Sequence, residues 1–417
     1  MTPAGQQTRV EGRLADGRPV RLRISGDRIS SIEETEPTPD QPTILPGLVD
    51  LQVNGFAGAD VNADDVSVAT VVELTRSLCR RGVTSYCPTI ITASQEKILS
   101  TLDVIAAARA SDPLVAEVVV GVHVEGPYLA DADGPRGAHD RRHVRDPDPR
   151  ELTQWLDVAP GLVRLVTLAP ERPGATRYVR AATEAGIVVG LGHTAATPEQ
   201  VRAAVHAGAR LSTHLGNGSH AVLPRHPNHL WAQLAAEALT ASFIADGHHL
   251  PADTFTAMVR AKGVERSVLV SDSAALAGCP PGEYHTPVGG SVTVDADGRL
   301  SLTGTELLAG SGRSLFDCVR WALRQTSFGL AEVWSMASTV PSRLLGSPDR
   351  GVVAVGARAD LVLVRGPDGP PPQAEPRLLA TIVGGVAVHA GNSASAECGK
   401  GHRMTTDAAV DQGRPPG

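Results

Sequence analysis

Residues 186–214 read GIVVGLGHTAATPEQVRAAVHAGARLSTH. An apolar run ends in Gly192-His193, Thr197-Pro198 opens a helical pattern, and a second apolar run ends in Thr213-His214. Thr before Pro is a helix-start signal, because the hydroxyl caps the free N–H groups and Pro fits the first helical position. Two strands joined through a helix run parallel, so His193 and His214 fall at the same end of one sheet. Outward from this unit the pattern repeats. The apolar runs VDLQV, TSYCPTI, EVVVGVHVE, LVRLVTLAP, GIVVGLGH, ARLSTH, LTASFIAD and RSVLVSD alternate with helical stretches such as VSVATVVELTRSLCRRG and SQEKILSTLDVIAAARA. Eight strand–helix units predict an α/β fold, a closed (β/α)8 TIM barrel whose chemistry gathers at the C-terminal ends of its strands.

Glu125 in VHVEGPYL and Asp272 in VLVSDSAAL end strands at that same face. A carboxylate and two imidazoles can converge on one divalent cation although they are far apart in the chain. Three ligands leave zinc a position open for water, which is the catalytic arrangement rather than the structural one. Glu125, His193 and His214 are therefore the candidate metal ligands, for one divalent metal per subunit, Zn2+ by preference. Asp272 is the candidate base that moves the proton of the activated water. Taken singly, each residue also has a structural reading, as a turn acid, a hydrogen-bonded core histidine or a helix cap. Their recurrence at equivalent strand ends favours the shared site.

The remaining composition narrows the class. The chain has 417 residues, 42% hydrophobic and 20% charged, with a net charge of -7 and a pI near 6.1. That balance argues against a nucleic-acid or anionic-membrane partner. No apolar stretch reaches membrane-spanning length, and the polar start MTPAGQQTRVEGR does not resemble a secretion signal. The five cysteines (Cys79, Cys87, Cys279, Cys318 and Cys398) lack metal-binding spacing and read as reduced thiols of a cytoplasmic protein.

Alternating strands with DG and GD turns fill residues 8–45, and strand signals return in GVVAVGARADLVLVRG and ATIVGGVAVHAG. Residues 1–47 and 350–392 are thus expected to form a small β-sandwich domain built by both chain ends, around a barrel over 48–349. A hairpin insertion is expected at YHTPVGGSVTVDADGRLSLTG and helices near 312–326 and 330–346. GPDGPPPQAEPR reads as a loop, and 393–417 as a disordered tail. The segment 216–230, GNGSHAVLPRHPNHL, and DGHHL at 246–250 gather Arg225 with several histidines, a composition suited to an anionic substrate.

DLQVNG, HVEGPYL, GPRGAHD, GLGHTAAT, THLGN, ADGHHL, VSDSAAL and LLAG occur in this order. With them the chain resembles the N-acetylglucosamine-6-phosphate deacetylases of the amidohydrolase superfamily. The resemblance implies that His139 polarises the acetyl carbonyl and that Ala138 lies beside the substrate. It implies Asn217, Gly218 and His249 around the sugar phosphate, Arg225 reaching it from a neighbouring subunit of a homodimer, and Leu308 and Ala309 over the substrate. Binuclear relatives carry histidines at the end of the first strand and often a bridging lysine. This chain has the amides Gln52 and Asn54 there, as second-site or water-holding groups, and none of its lysines (Lys97, Lys262, Lys400) ends a barrel strand.

Departures cluster in the substrate shell. HLGNGSH stands where the family has HLFNAM or HLYNAM, LLAGSGRSL is longer than LAGSAL, and SDS replaces TDA. The expected activity is removal of the N-acetyl group from an amino sugar, N-acetylglucosamine 6-phosphate foremost. The alternatives are deacylation of another N-acyl amino sugar or a specialised metabolite, and a non-catalytic sugar-phosphate sensor.

Overall fold

The computed structural model describes residues 8–286, 290–366 and 375–390. Eight parallel strands form the central sheet: Leu48–Val53, Val83–Ile90, Val122–Glu125, Val163–Leu168, Val188–Leu191, Leu211–Ser212, Thr240–Ile244 and Ser267–Val270. They coincide with the eight apolar runs. The first two are buried at every position, as strands covered on both faces must be. One apolar cluster draws Val49, Leu51, Cys87, Leu165, Leu211, Ile244, Val268 and Val270 from six of the strands. The outer helices pack their apolar faces onto the sheet. Between the fifth and sixth strands, helix Pro198–Ala207 starts with a Thr197/Gln200 capping box and stops at Gly208, whose φ of +124° suits glycine.

The first and eighth strands meet at the level where the chemistry is expected. The Asp272 N–H donates to the Gln52 carbonyl (3.0 Å), the Asn54 N–H to the Ser273 carbonyl (2.9 Å), and the Ser271 N–H to Asp50 Oδ1 (3.1 Å). This seam sets Asp272 beside Gln52 and Asn54.

Both chain ends build a second sheet of seven strands, in the order Val386–Ala390, Arg377–Val383, Leu361–Arg365, Thr43–Pro46, Thr8–Arg13, Pro19–Ser25, Arg28–Glu34. It is one continuous sheet, with its own core of Val10, Val20, Leu22, Ile24, Ile29, Ile44, Ala359, Leu361 and Ile382. Asp360 ties it to the barrel. This buried carboxylate accepts from Arg350 Nη1 (2.7 Å), Arg358 Nε (3.2 Å) and the Gly384 N–H (2.7 Å), while Arg350 also donates to Ser85 of the second barrel strand (3.0 Å). Asp360→Ala takes a shared carboxylate from two guanidinium groups, which keep Asp27, Glu117 and Ser85, and leaves the Gly384 N–H without its acceptor. It is expected to cost about 1–3 kcal/mol, read as a lower urea midpoint, with Asp360→Asn falling between. A midpoint within error of the parent would remove this tie from the account.

Three expectations are corrected. The helix near 330–346 is two helices, Leu330–Met336 and Thr339–Leu344. Pro341 cannot continue a helix through Ala337, because its ring meets that carbonyl, but it is harmless in the first turn of a new one. Of the thiols expected to be reduced, Cys79, Cys87 and Cys318 are free and buried, whereas Cys279 is disulfide-bonded. The insertion after Asp272 is a three-stranded antiparallel sheet, Gly282–Thr286, Gly290–Val294 and Leu300–Leu302. Most of the GPDGPPPQAEPR loop, Cys398 and the expected tail lie outside the described residues, and no helix among the described residues is long and apolar enough to cross a membrane.

Candidate active site

His193, His214 and Asp272 have positive φ, at +50°, +31° and +48°. Each stands just past a strand, and this conformation costs a residue with a Cβ roughly 1–3 kcal/mol. It turns each side chain off the strand line and over the barrel mouth. Glycines make the room. A Cβ on Gly218 would lie 2.8 Å from His193 Nδ1, so the loop after His214 can close onto that ring only without a side chain.

Glu125, His193 and His214 are buried, with ligand atoms all within 4.8 Å of one another. His214 Nε2 lies 2.9 Å and His193 Nε2 3.5 Å from Glu125 Oε1. His193 Nδ1 donates to the Pro135 carbonyl (2.8 Å), which fixes the ring with its Nε2 toward Glu125. Burial opposes charge on Glu125 and His214. Even so, hydrogen bonds and attraction to His193 and His214 hold the Glu125 carboxyl well below its ordinary range, and Glu125 raises the His214 imidazole. A buried carboxylate with two imidazole nitrogens gathered beside it fits a divalent cation.

The two amides of the first strand each serve one acid. Gln52 Nε2 donates to Glu125 Oε1 (2.9 Å), and Asn54 Nδ2 donates to Asp272 Oδ1 (2.8 Å). Burial first, and then the Glu125 charge, push the Asp272 carboxyl up to about 6; a cation held by Glu125 and the two histidines would oppose that rise. His139 closes the group. Its Nε2 is 3.2 Å from His193 Nε2 and 3.8 Å from Glu125 Oε2. Burial first, then the neighbouring imidazoles, lower it to about 3, so it is a neutral ring.

These residues line one cavity of about 360 Å³, together with Asn54, Ala138, Asn217, Gly218, His249, Leu308 and Ala309. Gln52 touches it only through Glu125. Arg225 is exposed on the 216–230 loop and is not brought to the cavity, whose lining among the described residues holds neither Arg nor Lys. Exposed Val222 and Trp231 flank it.

Sequence reasoning passed over Asp246, Asp60 and Thr92. Asp246 Oδ2 accepts from His249 Nδ1 (2.7 Å), and Oδ1 accepts from the main-chain N–H groups of His248 and His249 (2.9 Å each). Its three-residue spacing from His249 in ADGHHL was the available signal. Burial opposes ionisation, but the His249 contacts win and hold Asp246 at about 2. Asp60 lines the cavity, and burial pushes its carboxyl up to about 6.

Residues 43–388 match the Amidohydrolase family. The chain is 32% identical over 322 residues to the N-acetylglucosamine-6-phosphate deacetylase of Vibrio furnissii, covering 77% of this chain and 78% of that one. It is 35% identical over 350 residues to the N-acetylgalactosamine-6-phosphate deacetylase of Escherichia coli O157:H7, covering 82% and 89%. Among solved structures, a mutant N-acetyl-D-glucosamine-6-phosphate deacetylase from Mycobacterium smegmatis, in complex with N-acetyl-D-glucosamine-6-phosphate, superposes with a TM-score of 0.80 at 30% identity, over 92% of this chain and 100% of that one. The shared barrel, the strand-end acid and histidines and this breadth of similarity agree: the chain belongs to the amidohydrolase family, and within it to the N-acetylglucosamine-6-phosphate deacetylases.

Proposed function

We propose that this protein hydrolyses the amide of N-acetylglucosamine 6-phosphate to glucosamine 6-phosphate and acetate. The observation that carries the reading is the meeting of Glu125, His193 and His214 with Asp272 and His139 at one buried cavity. A divalent cation on the first three, zinc by its preference for nitrogen and carboxylate ligands, supplies a Lewis acid and brings the pKa of water toward neutrality. Asp272, steadied by Asn54, takes the proton of the attacking water. His139 donates to the acyl oxygen as negative charge grows there. Asp272 then returns the proton to the amine nitrogen as the C–N bond breaks. Gln52 keeps Glu125 oriented. Asn217, Gly218 and His249 hold the sugar phosphate, Ala138 borders it, and Leu308 and Ala309 cover it.

Among the described residues the cavity lining offers a phosphate no Arg or Lys, and Arg225 is exposed in the chain between exposed, apolar Val222 and Trp231. We read this as a homodimer in which each subunit lends Arg225 to its partner. A second reading is the C4 epimer N-acetylgalactosamine 6-phosphate, for which a relative 35% identical is named; a relative named for N-acetylglucosamine 6-phosphate is equally similar, so identity does not choose between them.

The test is amine release by zinc-loaded protein from both phosphosugars, with unphosphorylated N-acetylglucosamine alongside. Turnover is expected with a phosphosugar and not without the phosphate. Arg225→Ala should raise KM roughly 10- to 100-fold, the scale of a lost charge-assisted contact. Whichever epimer has the higher kcat/KM decides between the two readings. No turnover of either would overturn both and turn the search to other N-acyl compounds.

A further inference from the structure

His139 is held from behind by Thr92, just past the second barrel strand. The Thr92 main-chain N–H points at His139 Nδ1 (3.4 Å), and the Thr92 hydroxyl lies 2.9 Å from the same nitrogen. A main-chain N–H can only donate, so Nδ1 is an acceptor, and a neutral ring whose Nδ1 accepts carries its proton on Nε2. The other ring nitrogen, Nε2, faces the cavity, with His193 Nε2 at 3.2 Å.

Glycine makes this placement possible. A Cβ on Gly126 would lie 2.2 Å from the Thr92 hydroxyl oxygen, and Gly126 directly follows Glu125. The turn after the carboxylate is therefore built around that hydroxyl.

We propose that Thr92 is a positioning residue that fixes His139 as the Nε2–H tautomer, so that an N–H rather than a lone pair meets the acyl oxygen. The catalytic consequence rests on the reading of His139 given above; the tautomer assignment stands without it. Without the hydroxyl, one weak N–H contact remains to hold the tautomer. The alternative Nδ1–H ring would present a lone pair to an oxygen that is gaining negative charge.

The test compares Thr92→Val, Thr92→Ser and His139→Gln in the zinc-loaded full-length protein. Imidazole nitrogen spectra are recorded on histidine-labelled protein, with the His139 signals assigned by their loss in His139→Gln. The parent should show the His139 proton on Nε2, and Thr92→Val should show a mixture or the Nδ1–H form. Thr92→Val should also lower kcat about 10- to 100-fold, the range for losing the partner that orients a working histidine, with KM and metal content little changed. Thr92→Ser, which restores the hydroxyl, should return kcat to within about threefold of the parent. A parent His139 protonated on Nδ1 overturns the proposal, as does an unchanged His139 spectrum in Thr92→Val. If His139→Gln leaves kcat intact, the role of His139 fails by itself, and the spectra still decide what Thr92 does.

Discussion

Asp272→Asn is expected to lower kcat by about 10³–10⁴-fold, toward the upper range for losing a group that both takes and returns a proton. The amide has nearly the same shape. The Asp272 N–H bond to Gln52 and its carbonyl's bond to the Ser311 N–H belong to the main chain and survive the change. An oxygen on the new side chain can still accept from Asn54. What goes is the basic oxygen. The buried Asp272 carboxyl, pushed up to about 6 by burial first and then by the Glu125 charge, is a stronger base than an exposed one. As a base it works only when ionised, so acidification through its pKa, which a bound cation would draw below that of the metal-free site, should silence the parent. The variant should keep its metal and its thermal midpoint. Steady-state kinetics with metal analysis on the same preparation checks this, and a kcat within tenfold of the parent would move the proton-transfer role to another group.

The barrel was legible because its strands are short apolar runs buried on both faces, and the Thr197-Pro198 start and Gly208 stop bracket one crossover helix. The sixth strand shows where legibility ends. ARLSTH reads as a full strand, but only Leu211–Ser212 pair within it before the chain turns to present His214 at φ +31°. No composition reveals a residue held in that region; the fold imposes it. The strand-end acid and histidines were visible because they recur at one place in the repeat, and recurrence is a one-dimensional signal. Thr92, Asp246 and the pairing of Gln52 with Glu125 act on groups that only folding brings close, and each side chain by itself looks like ordinary strand-end polarity. Arg225 is the opposite case. The chain carries it on an exposed loop, and the role proposed for it, in a neighbouring copy, would leave no trace in its own cavity.

Glu125→Gln should abolish metal retention and with it at least about 10³-fold of the activity. The two imidazoles alone make a weak site, because the carboxylate supplies the only negative charge among the three ligands and each is held by the other two. Glu125 Oε1 takes contacts from His214 and from Gln52, both at 2.9 Å. An amide there keeps the shape but removes the charge, and its NH2 can be turned toward donors that already face the site. Metal per chain after gel filtration should fall from about one ion to below roughly a tenth of one, the outcome for a three-ligand site that loses its carboxylate. A second readout separates binding from chemistry. Ligand binding to the folded state raises stability by RT ln(1 + [L]/Kd), so added zinc should lift the thermal midpoint of the parent and leave Glu125→Gln where it was. Full metal content in the variant would mean that the cation is held elsewhere, and Glu125 would then be a buried acid that orders His193 and His214 without ligating anything.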